Sequence, residues 1–277
     1  MRVCIVGFDS LDYYLVEKYD LKCLKQKDYG KVEINTGVLA TPTIWTSFVT
    51  GLLPKEHGII GWKMKNPFLD KMQIWSIKIG LNRIIDRSQI LTQLGRRWVK
   101  GNVPNIRGRI PTIFDYAQRP VDINVPCYSE DVYEESRREI YHGVGKPITA
   151  KPIAEKAWRG FWEKKERVLD ALSKNWDLFM VHFFLPDIIQ HILWYRKNEI
   201  ERLYREMDNV ACNIKKRVGK NTFILFISDH GQKKGLHTPY GFYSCNRRLK
   251  LHEPKVTDFA DIIKRELGQS LKASPSK

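Results

Sequence analysis

Three apolar runs in this chain each stop at an acid or an imidazole. RVCIVGF (2–8) leads to Asp9, FMVHFFL (179–185) leads into PDIIQH with Asp187 and His191, and FILFI (223–227) leads into SDHG with Asp229 and His230. Continuous rather than alternating apolar runs read as strands buried on both faces, the habit of parallel sheets. Parallel strands that all end in chemistry-bearing side chains deliver them to one edge, where open α/β sheets bind ligands. So many carboxylates and imidazoles on one rim would repel or lack partners unless cations held them. The pattern therefore implies a cation site at the carboxyl ends of the strands.

Helical patterns separate the runs. Residues 11–19 read as a short helix and KVEINTG (31–37) as a strand. Thr41 is expected as N-cap and Pro42 as first helical residue of TIWTSFVT, with Gly51 and Pro54 ending it. Residues 112–118 read as a helix, 121–126 as a strand, 128–153 as a loop, 154–174 as an amphipathic helix and 176–184 as a strand. Residues 196–218 read as a charged helix with Glu201–Arg205 and Arg202–Glu206 pairs, 222–227 as a strand and 256–267 as a closing helix. Strands alternating with helices imply an α/β fold, a three-layer α/β/α sandwich with a mostly parallel central sheet. It is expected as one domain over 1–267, with a basic, partly helical excursion at 66–108 placed as a cap or lid, and a disordered tail at 268–277.

With 277 residues, 43% hydrophobic, the chain can bury a sizeable core without covalent staples. Its five cysteines, Cys4, Cys23, Cys127, Cys212 and Cys245, are scattered and form no CxxC pair. That pattern argues against a disulfide framework or a thiolate zinc site and fits a reducing compartment. Cys4 and Cys212 read as small buried apolar residues. The apolar N-terminus is too short for a signal h-region, and no run reaches the length of a membrane span. A cytoplasmic protein is expected. The net charge of +16 favours anionic partners, although a solubilising Lys-rich surface gives the same number.

Each candidate has an ordinary reading beside the chemical one. Asp187 and His191, four apart at the start of a helix, would share a face as half a zinc or manganese site; alone, the pair is an ion pair. Asp229 and His230 would both reach the rim if Gly231 lets the backbone turn; alone, they are a strand-end turn. His237, seven residues after His230, could return to the same rim, and alone is a surface histidine. Thr41 is the candidate nucleophile. A divalent cation would lower its hydroxyl pKa and a helix N-terminus would favour alkoxide and phosphate; alone, it is a helix cap. Thr43, Thr46 and Thr50 compete but would sit inside the helix.

Taken together, GFDSLD, TPTIWTSFVTGLLPKEHGI, PDIIQH and SDHG with a later His resemble the alkaline phosphatase superfamily, and within it the type I phosphodiesterase/nucleotide pyrophosphatase branch. The match touches residues 1–62 and 176–246, with the four motifs in the family's order. The resemblance implies two divalent metal ions, zinc first and manganese second. Asp187, His191 and His237 would hold one; Asp9, Asp229, His230 and the Thr41 oxygen would hold the other. It gives His57 a structural role in the P-x-x-HG turn. Where diesterase members place an Asn after HGI, this chain has Trp62, with Lys63 beside it, and these are the candidate substrate contacts.

The expected reaction is hydrolysis of phosphate esters, phosphodiester or nucleotide pyrophosphate bonds foremost. It would proceed by in-line displacement through a covalent phosphothreonine at Thr41, on a small anionic ester or nucleotide. Phosphomonoesterase, sulfatase and phosphomutase activity on the same fold are alternatives. A basic, non-enzymatic nucleic-acid binder is the other, carried by the charge and by Arg83, Arg87, Arg96, Arg97, Lys100 and Trp98.

Overall fold

The structure is a computed structural model, described here for residues 1–61, 105–129 and 147–268. The three apolar runs form its middle: β1 (Arg2–Phe8), β4 (Leu178–Phe183) and β5 (Thr222–Ser228), buried along their whole length apart from Arg2. β1 lies between the other two and runs parallel to both. β3 (Pro120–Ile123) adds a fourth parallel strand beside β4. On the other side, β8 (Tyr240–Cys245) pairs antiparallel with β5, and β2 (Asp28–Glu33) pairs antiparallel with β8. The order is β2-β8-β5-β1-β4-β3, with β1 among the parallel strands at the middle of the sheet.

Alternate residues of β1 feed two cores. Cys4, Val6 and Phe8 pack with residues of α4 (Pro147–Ala171), α5 (Leu185–Leu193) and α6 (Lys197–Arg217) on one face. Val3 and Ile5 pack with residues of α2 (Thr41–Thr50) and α7 (Asp258–Glu266) on the other. A strand buried on both faces needs both layers, so the expected α/β/α sandwich is the observed one. A short helix α1 (Tyr13–Lys18) follows β1, capped by Asp12, whose carboxylate accepts from the Tyr14 and Leu15 amides at 2.8 and 3.3 Å.

The differences from expectation are local. β2 begins at Asp28 and ends at Glu33, because its register follows β8 rather than its own alternation. The stretch 112–118 makes only a 3-10 turn, Ile113–Tyr116, and strand 121–126 starts at Pro120 and ends at Ile123. Helix α4 starts at Pro147, so the last part of the expected loop 128–153 is helical; residues 130–146 lie outside the described set. Arg202 does not pair with Glu206. Glu206 binds Lys165 of α4 at 2.8 Å, while Arg202 lies over the Trp158 ring and 3.8 Å from Glu199. Two residues near an interhelical seam took tertiary partners, whereas the outward Glu201–Arg205 pair formed at 2.6 Å. After β5 comes a small hairpin, β6 (Gly231–Lys233) and β7 (Leu236–Thr238), where only a loop was expected; β8 was not expected either.

The cysteine reading needs the clearest correction. Cys23 and Cys212 form a disulfide, joining the loop after α1 to α6 across 189 residues with Cα atoms 5.2 Å apart. Wide sequence separation does not prevent convergence in space, and the bond removes the support for a reducing compartment. Cys4 is a buried core residue as expected, its thiol pushed up to about 12 by burial. The excursion at 66–104 and the tail from residue 269 lie outside the described residues; at 105–108 the chain is already back on the core, with Ile106 buried and its amide bonded to the Cys127 carbonyl. Among the described residues no helix is long and apolar enough to cross a membrane.

Candidate metal centre

Because β1, β4 and β5 are parallel, their carboxyl ends share one edge. Asp9 follows β1 directly, Asp229 and His230 follow β5, and α5 starts two residues after β4 and carries Asp187 and His191 one turn apart. His237 returns to the same edge on β7. The structure gathers these six side chains into two adjoining groups, Asp9, Asp229 and His230 in one and Asp187, His191 and His237 in the other. The His230 and His237 rings stack with centroids 3.8 Å apart, which joins the groups.

In the first group, His230 Nε2 lies 3.5 Å from Asp9 Oδ1 and 3.4 Å from Asp229 Oδ2. Thr41 Oγ1 lies 3.5 Å from Asp9 Oδ1. In the second, Asp187 Oδ1 is 3.1 Å from His191 Nε2 and 3.2 Å from His237 Nε2, and the two imidazole nitrogens are 2.9 Å apart. Donor atoms around one tetrahedral zinc with bonds of about 2.0 Å stand roughly 3.3 Å apart, so both sets are spaced as ligands of a single ion would be.

The first group also carries a hydrogen-bond deficit. His230 Nδ1 bonds the Gly231 carbonyl at 3.2 Å, and a carbonyl only accepts, so Nδ1 carries the ring proton. Nε2 then presents a lone pair, in a fully buried ring, toward two carboxylates; neither it nor Asp229 Oδ2 has a hydrogen-bond partner. A cation is the species that satisfies three acceptors facing one another. The electrostatics agree. Burial, then the negative charges of Asp229 and Asp187, hold the Asp9 carboxyl well above the usual range. Burial pushes Asp187 the same way, but His191 and His237 outweigh it and hold that carboxyl well below the usual range. Burial also lowers His230, whereas for His237 the bond to Asp187 overcomes burial and raises it.

Thr41 is buried and is the first residue of α2 rather than its N-cap; Ala40 takes the cap position without a side-chain bond. Its competitors are placed elsewhere. Thr43 Oγ1 accepts from the Gly61 amide at 2.8 Å, and Thr50 Oγ1 donates to the Thr46 carbonyl at 2.6 Å. Thr46 is buried inside the helix. His57, the last residue of the short helix α3 (Pro54–His57), makes the backbone hydrogen bond expected of it: Nδ1 accepts from the Ile59 amide at 3.1 Å and Nε2 meets Ser47 Oγ at 2.9 Å. Burial lowers its pKa to about 4. Gly231 serves differently from its expected role. Its φ is not left-handed; instead a Cβ there would meet Asp12 Oδ2 at 2.5 Å, Thr238 Oγ1 at 2.7 Å and the Tyr240 carbonyl at 2.9 Å. Trp62 and Lys63 lie outside the described residues.

Three neighbours of the centre escaped the sequence reading. His182, the one polar residue in the β4 run, places Nε2 3.7 Å from Asp9 Oδ2 with its ring against Trp45; a lone histidine in an apolar strand was the available signal. Gln232 meets His191 Nδ1 at 3.0 Å, and Ser10 bonds three members of the two groups. Neither has a signal in the sequence.

The mostly parallel sheet, the helices on both faces and the carboxylates and imidazoles gathered at one edge define an α/β protein with a candidate metal centre. Within that class, the chain belongs to the type I phosphodiesterase / nucleotide pyrophosphatase family, whose model matches residues 3–249. Among solved structures it is similar to a 2-O GAG sulfatase, with TM-score 0.59 and 8% identity over 98% of this chain and 71% of that one. It is also similar to human ectonucleotide pyrophosphatase / phosphodiesterase 5, with TM-score 0.49 and 14% identity over 83% of this chain. It spans 57% of the length of that human protein. No curated protein sequence matches the chain.

Proposed function

We propose that this chain hydrolyses phosphate esters, phosphodiester or nucleotide pyrophosphate bonds foremost, with Thr41 as nucleophile. Two divalent metal ions would assist, one held by Asp187, His191 and His237, the other by Asp9, Asp229, His230 and the Thr41 oxygen. The observation that carries this reading is the pair of ligand-spaced groups on one sheet edge, with the Thr41 hydroxyl at the margin of the first. Zinc suits the mixed oxygen and nitrogen donors, with manganese next. When bound, the ions would supply Lewis acidity, lowering the threonine pKa and neutralising phosphoryl oxygens.

The chain's own residues do the rest. Thr41 opens a ten-residue helix whose first backbone amides have no intrahelical acceptor, so a phosphoryl oxygen beside Thr41 would find donors and the positive end of the helix dipole. Its hydroxyl points at Asp9 Oδ1, which orients the oxygen and offers its proton an acceptor. Attack by Oγ1 on phosphorus breaks the bond to the opposite ester oxygen, which departs and takes up a proton from solvent, and forms a threonine–phosphate ester whose phosphorus keeps the substrate's other substituent. Water then cleaves that ester and restores the hydroxyl. Most of the acceleration on this reading comes from placement and charge complementarity.

The test is the metal content of purified protein, followed by hydrolysis of bis-nitrophenyl phosphate, nitrophenyl phosphate and nitrophenyl sulfate with and without chelator. The diester should turn over fastest and chelator should abolish it. Faster cleavage of the sulfate or the monoester would move the substrate class. Phosphate that is transferred but not released would indicate a mutase. Turnover indifferent to chelator would end the two-metal reading. Salt-steep binding of DNA or RNA that persists in chelator would favour the non-enzymatic alternative.

A further inference from the structure

Ser10 follows Asp9 and is fully buried, and each of its polar atoms has a hydrogen-bond partner. Its amide donates to Asp229 Oδ1 at 3.1 Å. Its hydroxyl donates to Asp187 Oδ1 at 2.7 Å and lies 2.9 Å from His230 Nδ1. Its carbonyl accepts from Gln190 Nε2 at 2.8 Å, and Gln190 is itself held by the buried Tyr204 hydroxyl at 3.1 Å. These partners come from both groups: Asp229 and His230 from one, Asp187 from the other.

The backbone makes the arrangement more telling. Ser10 has φ +62°, in the left-handed region that serine adopts only at a cost and glycine adopts freely. A glycine would satisfy the turn and still supply the amide and the carbonyl. What serine adds is the hydroxyl. The roles of that hydroxyl are set by its neighbours. His230 Nδ1 is the protonated nitrogen, so it donates to Ser10 Oγ, and the hydroxyl proton goes to the Asp187 carboxylate. The first bond joins the Gly231 carbonyl in holding the His230 ring with Nε2 free; the second holds the Asp187 carboxylate in place.

We propose that Ser10 is a positioning residue that couples the two cation sites, its hydroxyl holding the His230 ring for one, together with the Gly231 carbonyl, while orienting the Asp187 carboxylate for the other. This rests on the two-metal reading above. Loss of the hydroxyl should therefore weaken both sites together, although Ser10 would touch neither ion nor substrate.

Co²⁺ is the probe, because its visible bands report ligand geometry. Metal-free wild type, Ser10→Gly and Ser10→Ala are titrated with Co²⁺ by calorimetry and absorbance, and each metal-free protein is melted. Wild type should bind two ions per chain. Both variants should bind about 10–100-fold more weakly at both sites, with altered bands. Metal-free Ser10→Gly should melt no lower than wild type, since glycine suits the backbone, which separates lost coordination from lost folding. If wild type binds two ions and Ser10→Gly binds both with unchanged affinity and bands, the role of Ser10 is refuted while the metal reading stands. Weakening at one site alone refutes the coupling. If wild type binds no Co²⁺, the metal reading fails and this inference falls with it.

Discussion

Thr41 Oγ1 lies 3.5 Å from Asp9 Oδ1, although one residue opens a helix and the other directly follows the central strand thirty-two positions earlier. The contact places a hydroxyl at the edge of a buried cluster of carboxylates and imidazoles. It gives the nucleophile assignment a geometric basis that a threonine beside a proline does not have on its own.

Thr41→Ala should lower turnover of the best diester by about 10³-fold or more while leaving metal content near the wild-type level, because Asp9, Asp229 and His230 remain. Elemental analysis and steady-state rates on the same preparation decide it. An active Thr41→Ala protein would move the nucleophile elsewhere.

Asp229→Asn and His230→Ala should each lose metal together with activity. Both remove a donor from a fully buried group in which His230 Nε2 and Asp229 Oδ2 have no other hydrogen-bond partner. Full metal occupancy in either variant would contradict the ligand assignment.

His57 sets a pH dependence of stability that lies outside the metal centre. Its folded-state pKa, about 4, is below the ordinary histidine value near 6.5. The unfolded chain therefore takes up the proton first as pH falls. Stability from this group is complete above about pH 6.5 and is lost as pH falls toward about 4. Denaturant melts across that range should show the slope, and His57→Gln should flatten it. An unchanged slope in His57→Gln would assign the acid sensitivity to other groups.

Reducing the Cys23–Cys212 bond should lower stability by about 2–4 kcal/mol, since it closes a long stretch of chain. Urea melts with and without reductant measure this, and Cys23→Ser should be indifferent to reductant. A wild-type melt that reductant does not move would mean that the bond is not formed in solution.

Gly231→Ala should cost about 1–3 kcal/mol, because its Cβ has no room between Asp12, Thr238 and Tyr240. His237 follows on the same hairpin, so metal affinity should fall with stability. Thermal melts and metal titration of one preparation test both; an unperturbed variant would show that the hairpin shifts freely.

The apolar runs were enough to identify β1, β4 and β5, since a strand covered by helices on both faces cannot alternate with polar residues. Their common direction is enough to place Asp9, Asp187, Asp229 and His230 on one edge. Local spacing determined the shared face of Asp187 and His191, for the same reason that a helix turns once in under four residues. Only the tertiary structure decided the rest. β2 and β8 take their register from each other. Glu206 prefers Lys165 to Arg202. Cys23 meets Cys212 across almost the whole chain. Ser10 occupies a left-handed position with Asp187, Asp229, His230 and Gln190 bonded around it. Each of these depends on partners distant in the chain, whose contact follows from packing and not from local pattern.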